Sequence, residues 1–304
     1  MRDRKLPRKS QSSPVPNRAA SVLGGKIAPR LICAAALLVA SAAASFAQSD
    51  LASAAQNNAK SVPLIAIPIP PLPANAPKAS PDPKNLEGTY INLNIPKRVI
   101  LDENGKPPPY LAPTQDMLKK RIGMNLAGSP PATPMSFCRP PGFFINFGLN
   151  FPFRIIQQPK ETLFVFEEMH ALWRVWMNRP VPHFTVPRYE GYSVGKWDGD
   201  ALVITTVGVR PSVWLDMGGT SHGVNAVFTH RIRKIDGGAK LQIQTTINDP
   251  EYYKNPWTTS VTLTWRPDQA VFSEYNCEES AGSMAEAQRY GTDTSGYKDS
   301  DDGR

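Results

Sequence analysis

Cysteine and histidine are scarce here, with three of one and four of the other in 304 residues. None of them forms a C-x-x-C or an H-E-x-x-H, which excludes the zinc-ribbon and zincin patterns. No apolar run reaches the ~18 residues that suggest a membrane-spanning helix. The run from Leu31 to Ala40 stops well short of that. No stretch alternates strand and helix patterns in the manner of a parallel α/β sheet. A basic surplus is also missing beyond the N-terminal region. Of 34 basic residues, eight lie within residues 1–47 against a single acid, Asp3, so the remainder carries 26 basic and 25 acidic side chains. A chain so balanced has no electrostatic footprint for nucleic acid.

What is present begins with a leader. A basic stretch running to Arg30, the short apolar run, and small residues at Ser45 and Ala47 read as a secretory signal cleaved before Gln48. Residues 1–47 are therefore expected to be removed. The mature protein is expected to be periplasmic or secreted, with no permanent membrane span after cleavage. Cys33 leaves with the leader, and in an oxidising compartment Cys138 and Cys277 remain to form one disulfide. Neither "SFCRPPG" nor "EYNCEES" holds a histidine to activate a thiolate, which speaks against a catalytic cysteine. Residues 48–84 form a Pro-rich linker; "SVPLIAIPIPPLPANAPKASPDPK" carries eight prolines and favours extended backbone over helix. Residues 281–304 read as a disordered tail, whose end "GTDTSGYKDSDDGR" is polar with no apolar face.

Residues 85–280 make one domain of ordinary size. "NLEGTYINL" reads as a short strand, "TQDMLKKRIGMNLA" as a helix with Thr114 as N-cap, and the Pro- and Phe-rich stretch from Ser129 to Phe153 as a loop. Beyond Phe153 the apolar period becomes two. "TLFVFEE", "ALWRVWM", "YSVGKW", "ALVITTVGV", "NAVFTHRIRK", "KLQIQTTI", "WTTSVTLTWR" and "QAVFSEYNC" follow as strands, with Asp198-Gly199 and Asp236-Gly237 as hairpin turns. Successive antiparallel strands of this kind predict an all-β meander that closes into a lipocalin-like barrel with one packed helix; closure removes the exposed edges. A β-sandwich is the second choice.

Gly191-Tyr192-Ser193-Val194-Gly195 matches G-x-S-x-G, the nucleophile elbow of serine hydrolases. An elbow needs a strand before the serine and a helix after it, whereas "KWDGDALVI" continues as a turn and a second strand. The order Ser193, Asp216, His222 does follow the hydrolase order, yet at ordinary Gly and Ser frequencies a chain of this length shows the pattern about once in ten by chance. The match is read as accidental, its glycines serving a close approach of strands or a bulge.

The histidines are His170, His183, His222 and His230. Glu167 and His170 have the E-x-x-H spacing of di-iron helices, but the segment alternates like a strand and no second copy exists. A mononuclear metal site drawn from His170, His183, His222 and Asp216 is one use of these residues; the chain names no cofactor. His230 shares a strand face with Ala226, Phe228 and Ile232, and so points into the barrel, either as a hydrogen-bonded core residue or as a polar anchor or base in an apolar cavity. In "VWLDMGGTSHG", Asp216 and His222 flank two glycines. They read either as a carboxylate–imidazole pair on a mobile turn at the barrel mouth, or as a turn in which Asp216 binds backbone amides and His222 is solvated. "INDPEYYKNPWTT" reads as an Asx-type turn with structural aromatics.

The pieces "GYSVGKWDGDALVITTVG", "VWLD", "SHG", "INDPEYYKNPWT" and "YNCEE" together resemble a family of exported bacterial proteins. That family reads G-x-S-x-G-x-W-[ED]-G-D-x-L-V, then D-P-x-x-Y-x-x-P-W and Y-x-C-E-E. The resemblance spans roughly residues 85–280 and places the "GYSVG" glycines in a strand-and-hairpin signature; it implies no reaction. Trp197, Asp200, Asp216, His222, Asp249, Pro256, Trp257, Cys138 and Cys277 match the pattern, and His170 matches a histidine ahead of an R-x-I segment. Val227 stands where the family has a second histidine, His230 where it has a glutamate, Tyr192 where it has a histidine and Thr205 where it has an aspartate. The function expected is binding of a small apolar or aromatic molecule within the barrel. The alternative is acid–base catalysis on such a molecule, as an isomerase, lyase or hydrolase, through Asp216 and His222 with His170 or His230.

Overall fold

A computed structural model describes residues 69–94, 99–127, 131–183, 186–269 and 277. The expected leader and tail lie outside these residues, as does most of the strand expected at 269–277. Nine strands follow one another around a closed barrel: β1 (Gly88–Ile91), β2 (Phe153–Gln158), β3 (Glu161–Phe166), β4 (Leu172–Met177), β5 (Tyr192–Asp198), β6 (Ala201–Val207), β7 (Val227–Ile235), β8 (Lys240–Asn248) and β9 (Trp257–Trp265), with β1 returning to pair with β9. The all-β barrel expected from the period-two segments is therefore the fold, and the sandwich is discarded. Alternation places Leu202 and Ile204, Phe228 and Ile232, and Leu241, Ile243 and Ile247 on the buried face.

Four details depart from the sequence reading. β4 and β5 run parallel, Val175 opposite Ser193, so the meander is mixed rather than wholly antiparallel. A parallel pair needs a crossover of about a dozen residues or more, and the chain from Asn178 to Gly191, broken by Pro180, Pro182 and Pro187, supplies it. β2 lies inside a segment bracketed by Pro152 and Pro159, where only Phe153 and Ile155 alternate with an exposed Arg154. The first helix, α1 (Ala112–Leu126), starts before Thr114, so Thr114 is not its N-cap; with Leu118 and Ile122 it makes a buried stripe four residues apart. The fourth departure positions the site. Phe143–Gly148, expected as loop, is a second helix, α2.

Six residues rich in phenylalanine have little intrinsic tendency to be helical, so tertiary packing holds α2 in place. Phe143 stacks on Trp173 of β4 at 5.0 Å and meets Phe228 of β7 edge-on at 5.8 Å. Phe147 meets Phe153 of β2 at 5.4 Å and Phe166 of β3 at 5.5 Å, both edge-on. Burying each such ring is worth about 1.5–3 kcal/mol. α2 therefore plugs the barrel with aromatic side chains. Just before it, Cys138 is joined to Cys277 by a disulfide, Cα atoms 5.6 Å apart, which ties the approach to the plug to the chain beyond β9.

The barrel closes unevenly. β7 pairs with β8, and β8 with β9, along almost their whole lengths, whereas β1 meets β9 only at Tyr90–Trp265 and Ile91–Thr264. Above that short joint the free side of β9 is met by a strap, in which the Glu103 amide donates to the Thr258 carbonyl (3.0 Å) and Thr259 Oγ1 donates to the Leu101 carbonyl (2.8 Å). On the outside, the described end of the Pro-rich linker is held to the barrel. Lys234 Nζ donates to the carbonyls of Ser80, Asp82 and Asn85, and Trp265 Nε1 to that of Pro77. Among the described residues, no helix is long and apolar enough to cross a membrane.

Candidate functional site

A cleft of about 770 Å³ lies where β8, β9, α2 and the strap come together. Apolar and polar side chains share its walls about equally, with Ile100, Phe144, Phe147, Leu215, Ile243 and Val261 among the first and Asn92, Thr245, Thr259 and Asp216 among the second. The size is that of a small-molecule pocket. The cleft exists because β1 is short: where β1 leaves β9, α2 and the strap cover the gap without filling it.

The candidate residues are not gathered at one point. Asp216 lines the cleft, and its carboxylate is fully engaged. Oδ1 accepts from the amides of Gly218 and Thr220 (2.9 Å each), and Oδ2 from the Ile100 amide (2.7 Å) and the Thr220 hydroxyl (2.5 Å). Burial raises its pKa and these donors oppose the rise. His222 is fully buried; its Nδ1 lies 2.9 Å from the Gly223 carbonyl, and Nε2 has no hydrogen-bond partner of normal geometry. Burial lowers its pKa, opposed by the Gly223 carbonyl, the charge on Asp249 and the Val213 carbonyl. The carboxylate nearest to this imidazole in effect is thus Asp249, whose Oδ2 accepts from the Gly223 amide at 2.8 Å. His170 and His183 are exposed. Among the described residues, no group of three or more histidine, cysteine or acidic side chains is placed to hold a metal ion.

The loop that carries Asp216 and His222 is packed, which corrects both the mobile turn and the solvated histidine. Val213, Trp214 and Leu215 are buried, Arg121 of α1 stacks on Trp214 (4.6 Å) and donates to the Gly219 carbonyl (2.6 Å), and Tyr253 donates to the Ser221 carbonyl (2.6 Å). Gly219 is required there: its φ is +99°, and a Cβ would fall 2.6 Å from Arg121 Cδ. Asp249 and Tyr253 belong to the segment read as a turn with structural aromatics, and their hydrogen bonds pin the loop as that reading requires.

Ser193 is the second residue of β5, followed by strand and hairpin rather than by the helix of an elbow. The Trp173 indole donates to its Oγ (2.7 Å), and its hydroxyl shares a hydrogen bond with Thr206 (2.8 Å); all three side chains are buried. The flanking glycines have steric reasons. A Cβ on Gly191, at φ +61°, would fall 2.7 Å from the Val207 carbonyl oxygen, and one on Gly195 would fall 2.8 Å from Val175 Cγ1 across the parallel pair.

His230 does point into the barrel. It is fully buried, with Nδ1 2.9 Å from Thr245 Oγ1, and it is enclosed by Phe143 (4.8 Å), Trp173 (5.0 Å) and Phe144 (6.2 Å). Burial lowers its pKa to about 3, so near neutral pH it is an uncharged imidazole. Apart from Asp216, the residues of the cleft wall are the ones that sequence reasoning missed. Phe144 lay in a presumed loop, and Thr245 is one of two adjacent threonines in a strand with no motif. Compared with protein-family models, with curated proteins and with solved structures, the chain finds no match.

Proposed function

We propose that this is an exported, periplasmic protein that binds a small, largely apolar or aromatic molecule in the cleft beside α2. One observation carries the reading: a cleft of about 770 Å³ in which large apolar side chains, Phe144 and Phe147 of α2 among them, share the walls about equally with polar ones. The barrel axis is occupied by Phe143, Phe147 and Trp173, so the ligand sits on the flank, over β8 and β9. The enzyme reading has less support. Of Asp216, His222, His170 and His230, only Asp216 lines the cleft, and its oxygens already accept four hydrogen bonds.

Native mass spectrometry of residues 48–304, exported through a disulfide-competent host and incubated with an extract of that host, tests the proposal. The expected result is a retained organic mass that is lost when Phe144→Asp places a charge on the cleft wall. A chain that retains nothing, or a mass indifferent to Phe144→Asp in a variant that still folds, sinks the reading.

A further inference from the structure

We infer that Thr245 is the polar anchor of this cleft and that His230 sets the direction of its hydroxyl, so that the cleft selects an apolar molecule carrying a hydrogen-bond acceptor such as a carbonyl oxygen. The inference rests on the cleft reading above and adds a ligand chemistry to it.

Thr245 stands on β8 and lines the cleft with Ile243, Val261 and Phe144, though only 4% of its surface is exposed. Directly opposite on β7 is His230, whose Nδ1 lies 2.9 Å from Thr245 Oγ1. The imidazole is uncharged and so carries a single ring hydrogen, on Nδ1 or on Nε2. On Nε2 that hydrogen has no partner: the atom is buried without a hydrogen bond, among the rings of Phe143, Phe144 and Trp173. On Nδ1 the hydrogen meets Thr245 Oγ1, and only a lone pair is left unpaired at Nε2. A buried orphan N–H is the rarer and costlier deficit, so the Nδ1–H tautomer is selected.

The tautomer decides what the cleft offers. A hydroxyl that accepts from His230 keeps its own hydrogen, and that hydrogen is available to the cleft. The opposite tautomer would turn the Thr245 hydrogen inward and present only lone pairs, favouring a ligand that donates. His230 acts through Thr245 and touches no ligand; it is a positioning residue. Neither residue stood in a recognisable motif, and the pairing exists only because the β7–β8 register sets them side by side.

Two measurements on the mature chain test this. Long-range nitrogen–proton NMR of the labelled imidazole near neutral pH is expected to show Nδ1 protonated and Nε2 bare; a proton on Nε2 overturns the inference without any ligand. The second is a titration with methyl naphthyl ketone and with ethylnaphthalene, located by amide shifts at Phe144, Thr245 and Val261. One net neutral hydrogen bond makes the ketone bind roughly five- to tenfold more tightly than the hydrocarbon. Thr245→Val is expected to remove that preference while changing the hydrocarbon's affinity less than about twofold, and Thr245→Ser to restore it. Equal affinities in the wild type, or a preference that survives Thr245→Val, overturn the anchor alone. If neither compound shifts the cleft amides, the cleft reading falls and takes the anchor with it.

Discussion

Replacing Ser193 with alanine separates a structural serine from a nucleophile. In the folded chain the Trp173 indole N–H donates to Ser193 Oγ at 2.7 Å, and the Ser193 and Thr206 hydroxyls are 2.8 Å apart. Alanine removes the shared partner and leaves the indole N–H and one hydroxyl buried without it. Each unsatisfied buried group costs about 1–3 kcal/mol, and the Thr206 hydroxyl can rotate toward backbone, so a total of about 2–4 kcal/mol is expected. For a domain of this size that lowers Tm by ~5–15 °C. Urea denaturation of the oxidised protein, followed by far-UV circular dichroism, measures it. Trp173→Phe supplies the control: with the indole donor gone, the further cost of Ser193→Ala shrinks to about 1 kcal/mol, and the difference is the coupling energy of the pair. A Ser193→Ala protein within about 0.5 kcal/mol of wild type would refute the structural role. Labelling of wild type, but not of the variant, by a fluorophosphonate would reinstate the nucleophile.

Reducing the disulfide, or replacing both Cys138 and Cys277 with serine, is expected to destabilise the protein by as much as ~5 kcal/mol, the chain-entropy value for a loop of 139 residues, read from urea midpoints with and without reductant. A loss under about 1 kcal/mol would show that the joint adds little to packing. Stability is expected to depend on pH through buried groups of both signs, of which His230 and Glu190 are the two to test, with His222 shifted in the same direction as His230 and Asp216 in the same direction as Glu190. His230, with its pKa lowered to about 3, is protonated first in the unfolded chain, so stability is lost as pH falls from about 6.5 toward 3, at up to ~1.4 kcal/mol per unit. Glu190, whose buried carboxyl oxygens lack a hydrogen bond of good geometry, has its pKa raised to about 8 by burial, with the Phe143 amide pulling weakly the other way. Its contribution is full below the ordinary glutamate range and is lost as pH rises through about 8. His230→Phe lessens the slope of the acid limb and Glu190→Gln that of the alkaline one; stability curves across pH that keep the wild-type slopes contradict these assignments.

Much of the barrel was legible because its physics is local. Alternation in "WTTSVTLTW" and the turns at Asp198-Gly199 and Asp236-Gly237 determine strands and hairpins within a few residues of themselves. Illegible features depend on partners far along the chain. Phe143 to Phe147 is helical because a barrel interior of aromatic rings receives it, and β4 runs parallel to β5 because of where a crossover ends. The site divides in the same way. Asp216 and His222 drew notice as chemistry-bearing types in a Gly-rich loop, and that loop proves to be tied down by Arg121 and Tyr253. Thr245 drew none, since the histidine beside it is brought there by the β7–β8 register and by no motif.

The narrow meeting of β1 with β9 also has a kinetic meaning. Hairpins such as β7–β8 form from near neighbours, but this joint unites residue 90 with residue 265 and must wait for nearly the whole domain. Contacts of such sequence separation are costly in loop entropy and slow to form. The seam is therefore expected to be the last part of the barrel to close and the first to part. The proposed ligand, lodged between β9, α2 and the strap, would lie beside that seam and touch both sides of it through Asn92 and Thr262, so its first effect is expected to be slower unfolding.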